Sequence, residues 1–268
     1  MGILNITTDS FSDGGRFLDQ EAALQHARCL IDEGADIIDI GGESTRPGAE
    51  TVSTQEEMDR VMPVLDELLR EFDVSVSLDT SKAELMTEGT RLGASMINDV
   101  RALQEPGALE AAVTAAMDFG CEVCIMHMQG EPATMQNSPS YNDVVEQVCD
   151  FLAERAGQCV KAGIPPAKLL TDPGFGFGKT TEHNLLLLKN LHRVCELGFA
   201  VLAGLSRKRM FGEILANSES GEPFEGNRIH ASVAAGQIAA ANGAAVLRVH
   251  DVAAHVHAMK VMEAVATV

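Results

Sequence analysis

The sequence predicts an α/β fold, because short apolar runs alternate with longer helical patterns along nearly all of its 268 residues. Eight runs are rich in aliphatic and β-branched residues and have the length of buried strands. They lie at 2–5, 36–41, 74–79, 95–99, 121–127, 168–172, 199–206 and 245–250. Eight strands, each followed by helical sequence, are typical of a (β/α)8 TIM barrel. Since no Pro/Ser-rich linker divides the chain, we expect a single domain over residues 1–268.

The stretches between the strands have helical periodicity. In the first, residues 20–34, the apolar positions 23, 24, 27, 30 and 31 fall on one stripe. Further helices are expected at 54–71, 82–92, 107–119, 142–162, 182–196, 228–242 and 252–265. Several should end at a glycine, at positions 34, 93, 120, 163, 198 and 243, because a left-handed residue commonly terminates a helix.

Nearly every predicted strand carries a polar residue at its carboxyl end. These residues are Asn5, Asp39, Asp79, Asn98, His127, Asp172, Ser206, Arg248 and His250. A ring of such groups is expected at the rim of a barrel, where TIM-barrel active sites lie. A doubly wound open sheet, the alternative fold, would gather them at a single switch point.

Composition limits the function classes. The chain has 20 basic and 39 acidic residues and a net charge of −19, which argues against a nucleic-acid partner because phosphate contacts need a basic face. No apolar run is long enough to cross a bilayer, and the N-terminus has no signal-like stretch. The six cysteines lack zinc spacing and are expected to be reduced thiols. We therefore expect a cytoplasmic protein without a membrane partner.

The segment LTDPGFGFGKTTEHN, residues 170–184, has the look of a phosphate-binding loop. A Walker loop, however, needs a glycine, four further residues and then Gly-Lys-Thr, and Pro173 stands where that first glycine belongs. The spacing therefore excludes this kind of nucleotide site. It leaves a carboxylate, Asp172, at a strand end before a flexible turn.

Two groups of side chains indicate a ligand. Asp79, Asn98 and Asp172 suit a flat heterocycle with N–H donors, although a lone Asp after a strand is often a helix cap. Residues 206–209, SRKR, lie at the end of the seventh predicted strand, and Arg248 and His250 lie on one face of the eighth. In so acidic a chain they predict an anionic substrate near strands seven and eight, the alternative being a solvated charge run.

Two polar loops, 5–17 and 41–53, are longer than usual strand-to-helix connections. They are candidates for mobile lids, and the alternative is that they are ordinary turns. If they close over the rim, a ligand that contacts them should bind only after other ligands have ordered them.

Seven motifs in order resemble the dihydropteroate synthase family, the sulfonamide targets of folate biosynthesis. They are GILNITTDSFSDGG, IDIGGESTRPGA, SLDT, INDV, DPGFGFGK, GLSRK and RVHDV. The sequence departs from the family at Thr8, where Pro is usual, and at Arg209, where Ser or a similar residue is usual.

The resemblance implies an enzyme that condenses 6-hydroxymethyl-7,8-dihydropterin diphosphate with p-aminobenzoate, in an SN1-like, Mg²⁺-assisted reaction that releases pyrophosphate. It implies catalytic roles for Asp79, Lys208, Arg248 and His250. The implied residues for the pterin diphosphate are Thr45, Asp79, Asn98, Val100, Met126, Asp172, Gly176, Lys208, Arg248 and His250. Those for p-aminobenzoate are Phe11, Thr45, Arg46, Pro47, Phe177, Ser206 and Lys208, and Asn5 would ligate Mg²⁺. The family also implies a homodimer, with the apolar segment 233–246 as part of an interface or packed on the barrel.

Two other functions remain open at this point. A pterin-binding methyltransferase of a corrinoid system would share the barrel and the Asp and Asn residues, but would not need the cations for a diphosphate. A non-catalytic pterin-binding protein should lack both the Mg²⁺ ligand and the anion-binding cluster. The strand-end cations in this sequence favour the synthase.

Overall fold

The structure is a computed structural model that describes residues 1–6, 16–44, 51–131, 134–216 and 224–268, with the side chains of 16–19 left out. Within these ranges eight strands form one parallel sheet. They are β1 (Gly2–Asn5), β2 (Ile37–Gly41), β3 (Ser75–Asp79), β4 (Met96–Asp99), β5 (Glu122–Met126), β6 (Leu169–Asp172), β7 (Ala200–Ala203) and β8 (Val246–Leu247). All eight predicted strands are present, but the last two are much shorter than predicted, so Ser206, Arg248 and His250 follow their strands instead of lying within them.

The strand order is sequential from β1 to β8. A doubly wound sheet reverses its strand order at a switch point, so the alternative fold does not describe this chain. The sheet curls, and its first strand is hydrogen-bonded to the segment after its last. Ile3 N donates to Val249 O and Val249 N donates to Met1 O, both at 3.0 Å.

Helices follow the strands and cover the outside of the sheet. Among the described residues they are α1 (Arg16–Asp32), α2 (Thr54–Glu71), α3 (Ala83–Leu92), α4 (Ala108–Asp118), α5 (Val144–Ala162), α6 (Thr181–Lys189), α7 (Leu191–Cys195), α8 (Arg209–Ile214), α9 (Ile229–Ala241) and α10 (Val252–Ala266). The predicted helix 182–196 is broken at Asn190, whose Nδ2 donates back to Leu186 O at 2.8 Å. α8 was not predicted, since six residues are too few to display a helical period.

The glycines predicted at helix ends all have positive φ, from 69° to 132°. They are Gly34, Gly93, Gly120, Gly163, Gly198 and Gly243. A residue with a side chain rarely adopts this conformation, so glycine is the residue that turns the chain from each helix toward the next strand.

The two faces of the sheet have separate cores. Met96, Cys124, Leu170 and Leu202 pack together inside the curl, whereas residues one position away, such as Ile97, pack against the helices. Successive side chains alternate between faces. The polar residues two positions after Met96 and Leu170 therefore lie inside, above this apolar cluster and at the carboxyl ends of the strands.

The cysteines follow the same alternation. Cys121 packs among the helices and Cys124 packs inside the curl, as expected for C-x-x-C along a strand, and all six cysteines are free. Of the helices that the structure describes, none is long and apolar enough to cross a membrane.

We expect Gly89→Ala in α3 to destabilise the fold. Alanine normally stabilises a helix by about 1 kcal/mol over glycine. Here the added Cβ would stand 2.5 Å from Leu78 Cδ1, a fully buried side chain of β3. Overpacking of this kind costs about 1–3 kcal/mol, so the free energy of unfolding, measured by urea titration, should fall.

The matched control is Gly157→Ala in α5, where no atom lies within 4 Å of the added Cβ. It should stabilise the protein by about 0.5–1 kcal/mol. The same sign of change in both variants would contradict close packing of α3 on β3.

Candidate active site

The carboxyl ends of the strands, here called the rim, surround a cleft of about 840 Å³. Eight of the residues implied by the family resemblance line it: Asn5, Asp79, Gly176, Phe177, Ser206, Lys208, Arg248 and His250. Its volume is that of a small-molecule site. The structure thus brings together side chains from positions 5 to 250 of the chain.

The centre of the rim is an ion-pair network built on Arg248, which directly follows β8. Its Nε donates to Asp39 Oδ2 and its Nη2 donates to Asp79 Oδ2, both at 2.5 Å. Asn98 Nδ2 donates to the same Asp39 oxygen at 3.3 Å. One guanidinium therefore sets the relative positions of side chains from β2, β3 and β4.

Sequence reasoning placed Asp39 in the ring of strand-end residues but gave it no role. Its side chain is fully buried, and its Oδ1 has no hydrogen-bond partner within the described part of the chain. Asp39 lies on the inner face, two residues after Ile37, which packs against the inner cluster. That period of two was the available signal.

Burial raises the pKa of Asp79 to about 7. The Arg248 guanidinium opposes this shift, and the neighbouring Asp39 carboxylate adds to it. Carboxylates that share a buried site cannot all ionise freely. The charge state of the rim therefore changes near neutral pH.

Asp172, at the end of β6, is the second buried carboxylate of the site. Its Oδ1 accepts a hydrogen bond from Gly174 N at 2.7 Å. Burial raises the pKa of Asp172, while the Gly174 N–H and the Lys208 ammonium act against the rise. Asn98, Met126 and Asp172 are all buried beneath the cleft, and Val100 lies half-buried in the turn after β4.

Lys208 and Phe177 face each other across the cleft. The Lys208 Nζ lies 4.4 Å from the centroid of the Phe177 ring, a cation–π contact. Burial, and after it Arg248, lowers the pKa of Lys208 to about 8, against the pull of Asp172 and Asp79. The pair offers a flat aromatic surface beside a cation.

The other cations of the 206–209 run also line the cleft but are held in ion pairs. Arg207 forms a two-point ion pair with Asp251, and Arg209, 81% exposed, pairs with Glu213. For these two residues the solvated alternative is the better description. In that run, Lys208 interacts electrostatically with Asp172 and Asp79.

His250 is held by Ser206 and is neutral at pH 7. Its backbone N donates to Ser206 Oγ at 3.1 Å, and its Nδ1 lies 3.0 Å from the same oxygen. Burial, and after it Arg207 and Arg248, lowers the pKa of His250 to about 4. The imidazole can offer a hydrogen bond to an anion.

Asn5, at the end of β1, lines the cleft and offers an amide oxygen. Such an oxygen suits Mg²⁺, which commonly keeps several waters and takes only one or two protein ligands. In the part of the chain that the structure describes, no group of three or more His, Cys, Asp or Glu could hold a metal. Phe11, Thr45, Arg46 and Pro47, with most of the loops 5–17 and 41–53, lie outside the described residues.

A lysine that sequence reasoning missed holds the described stem of the second loop. The Lys82 ammonium lies 3.1 Å from Glu43 Oε2 and 2.7 Å from the buried Glu57 Oε2, and it donates to Val52 O at 2.5 Å. No local pattern signals this contact, since the partners are 25 to 39 residues away along the chain.

A family model described as pterin binding enzyme matches residues 1–250. The dihydropteroate synthase of Haemophilus influenzae is 51% identical over 266 residues, which cover 99% of this chain and 93% of that protein. A Yersinia pestis dihydropteroate synthase, solved with a sulfonamide drug complex, superposes with a TM-score of 0.90 at 50% identity, covering 100% of this chain and 94% of that one. The Xanthomonas albilineans enzyme in complex with 7,8-dihydropteroate gives 0.86 at 47%, covering 100% and 93%.

We expect Asp79→Asn to flatten the pH dependence of stability. Folding raises the pKa of Asp79 from 3.8 to about 7, so in this window the folded state keeps a proton that the unfolded chain has lost. Asp79 therefore makes its whole contribution to stability below pH 3.8. This contribution is lost as the pH rises through about 7, by at most about 1.4 kcal/mol per pH unit. Asparagine does not titrate, so the unfolding free energy of Asp79→Asn should fall less than that of the wild type as the pH rises through this range.

Urea titrations at several pH values measure this slope. Asp118→Asn, at the exposed end of α4, is the control and should keep the wild-type slope. Parallel curves for wild type and Asp79→Asn would contradict the raised pKa.

Proposed function

Because this chain belongs to the pterin-binding enzyme family, with dihydropteroate synthases as its relatives, we propose that it makes 7,8-dihydropteroate for folate biosynthesis. It is a transferase that joins 6-hydroxymethyl-7,8-dihydropterin diphosphate to p-aminobenzoate and releases pyrophosphate. The observation that carries the proposal is the arrangement of buried Asn98 and Asp172 beneath a cleft that is lined by Asp79, Lys208 and Arg248.

The buried polar groups suit the pterin. Asp172 has one carboxylate oxygen bound to Gly174 N, and its other oxygen can accept from the N–H donors of the ring. Asn98 offers an amide that can both donate and accept. Met126, buried at the end of β5, adds an apolar contact. A flat ring with several polar edges would thus be held in one orientation.

The Phe177 and Lys208 side suits p-aminobenzoate. The aromatic ring of the substrate can pack on Phe177, with the cation of Lys208 between the two substrates. Ser206 lies nearby, hydrogen-bonded to His250. The resemblance assigns Phe11, Thr45, Arg46 and Pro47 to the same pocket, and these assignments stay predictions because the residues lie outside the described ranges.

The diphosphate would lie near Arg248 and His250, where a guanidinium and an imidazole N–H can bind its oxygens. Asn5 would hold Mg²⁺ on this side of the cleft. When bound, the ion would neutralise charge on the leaving pyrophosphate.

In the reaction the bond between the methylene carbon and the diphosphate oxygen breaks, and pyrophosphate leaves with the electron pair. The reduced pterin stabilises the methylene cation, and the Asp79 carboxylate supplies negative charge near it. The p-aminobenzoate nitrogen then forms the new C–N bond and loses a proton. Because the carbon is already electrophilic, a weak aniline nucleophile suffices and no covalent enzyme intermediate is required.

We extend the proposal to the architecture. The sequential strand order and the two bonds between residues 1–3 and Val249 support a closed (β/α)8 TIM barrel that forms a single domain. The homodimer rests on the family resemblance and on α9, which packs one face on the core at Ala235 and Ala239 and leaves Ile238 48% exposed. Six free thiols fit a reducing cytoplasm.

A single experiment tests the function. The purified protein is incubated with both substrates and Mg²⁺, and pyrophosphate and dihydropteroate are measured. Equal amounts of the two products are expected. Pterin binding without turnover would favour a non-catalytic binding protein, and methyl transfer in a corrinoid assay would favour the methyltransferase.

Asp172→Asn should keep the fold and lose most pterin binding. The amide oxygen can still accept from Gly174 N, which preserves the turn, but the amide nitrogen replaces the oxygen that faces the ring. Loss of a charge-assisted bond costs about 1.5–3 kcal/mol, or about one to two decades in affinity. Calorimetric titration with the pterin measures the effect, and unchanged affinity would contradict the role of Asp172.

Arg248→Lys should lower kcat/KM for the pterin diphosphate by about one to two decades. A lysine keeps the charge but lacks the planar fork that reaches Asp39 and Asp79 together. Arg209→Lys, in an exposed pair with Glu213, is the matched control and should turn over at the wild-type rate. Equal kinetics for the two variants would exclude a special role for the fork.

A further inference from the structure

The lysine that imitates a Walker residue points into the protein. Lys179 is 3% exposed. Its ammonium donates to Gly174 O at 2.9 Å, to Phe177 O at 3.1 Å and to His127 Nδ1 at 2.9 Å, with His127 O at 3.3 Å. An ammonium has three donors, and these acceptors use them all. Lys179 is therefore turned away from any phosphate.

Lys179 is the centre of a hydrogen-bonded turn, residues 173–178, here called the glycine turn. Around it, Gly176 N donates to Asn184 Oδ1 at 2.8 Å and Gln136 Nε2 donates to Gly176 O at 2.5 Å. Tyr141 Oη donates to Gly178 O at 2.9 Å. The turn is thus held from several elements, while Lys179 alone among these partners binds two of its carbonyls.

The glycine turn lies tightly against the end of β5. Gly174, Gly176 and Gly178 have φ of 68°, 81° and 62°, and a Cβ on Gly174 or Gly178 would collide with the backbone oxygens of His127 or Gln129. The backbone thus has a positive φ at three of these six residues. Such a path needs interior donors, because the carbonyls that it turns inward are cut off from water.

The turn presents Phe177 to the cleft. Lys179 binds the carbonyl of Phe177 itself, and the Phe177 ring in turn contacts the Lys208 ammonium. Asp172 accepts from Gly174 N of the same turn and interacts with the Lys179 charge, but its backbone belongs to β6 and is held by the sheet. A change at Lys179 should therefore move Phe177 more than Asp172.

We propose that Lys179 is a positioning residue that holds the glycine turn so that Phe177 and Lys208 form the p-aminobenzoate side of the site. The inference rests on the proposed function and assigns to Lys179 a role in selecting the second substrate. Although Lys179 lines the cleft, its donors face His127 and two carbonyls of the turn, so it acts through Phe177.

The test is Lys179→Met in the full chain, which keeps the length of the side chain and removes its donors. Steady-state kinetics are measured with each substrate varied in turn. The KM for p-aminobenzoate should rise at least about tenfold, since displacement of positioning groups by about an ångström has effects of this size or larger. The Kd for the pterin, measured by calorimetry, should change less than about threefold.

Lys168→Met is the matched control. Lys168 stands before β6, at the opposite end of the same strand, and its Nζ donates to Gly120 O at 2.5 Å. The variant loses a lysine-to-carbonyl hydrogen bond far from the cleft, so the KM for p-aminobenzoate and the Kd for the pterin should both stay at the wild-type values. An unchanged KM for p-aminobenzoate in Lys179→Met, or equal losses for both substrates, would overturn the inference.

Tyr141→Phe keeps the inference testable if Lys179→Met does not fold. It removes only the bond to Gly178 O, and it should raise the KM for p-aminobenzoate in the same selective way, by about twofold to fivefold. No change there would count against the glycine turn as the positioning element. A wild type that forms no dihydropteroate would overturn the proposed function and this inference with it, whereas an active wild type with unselective variants overturns the inference alone.

Discussion

The bond between Arg248 and its two aspartates is the constraint on which the site depends. Arg248 follows the last strand, while Asp39 and Asp79 belong to the second and third. Sequence separations of 209 and 169 residues mean that the contact exists only after the whole sheet has curled. A buried ion pair of this kind does little for stability by itself, because removing the charges from water offsets the attraction between them. Its use here is geometric, since it holds three strand ends in one arrangement.

Burial at the rim disfavours the charged forms of its titratable side chains. Asp79 and Asp172 have raised pKa values, Lys208 and His250 have lowered ones, and burial is the largest cause in all four cases. The charged form of each group would be more stable in water than in the cleft. A substrate with N–H donors and an anionic tail would interact with these groups, and such a cluster of shifted pKa values is typical of a functional site.

The glycine turn shows that one sequence pattern can occur in two different structures. Gly178, Lys179 and Thr180 have the composition of a phosphate loop, in which backbone N–H groups and the lysine face the ligand. In this chain Thr180 instead caps α6 by accepting from His183 N, and Lys179 faces inward to bind carbonyls. The difference follows from the direction of the peptide groups. When carbonyls point into the turn, a buried ammonium is a partner for the backbone and is no longer available to an anion.

The sequence by itself determined the alternation of strands and helices, the glycines at the helix ends and the ring of polar strand ends, because these depend on local periodicity and backbone conformation. Its motifs also identified the family and eight of the residues that line the cleft. Tertiary structure decided which of those groups act together. It assigned Arg207 and Arg209 to surface pairs, left His250 neutral, broke the predicted helix 182–196 at Asn190, and gave Asp39, Lys82 and Lys179 their partners. These outcomes cannot be predicted from local sequence, since each depends on burial and on contacts between residues far apart in the chain.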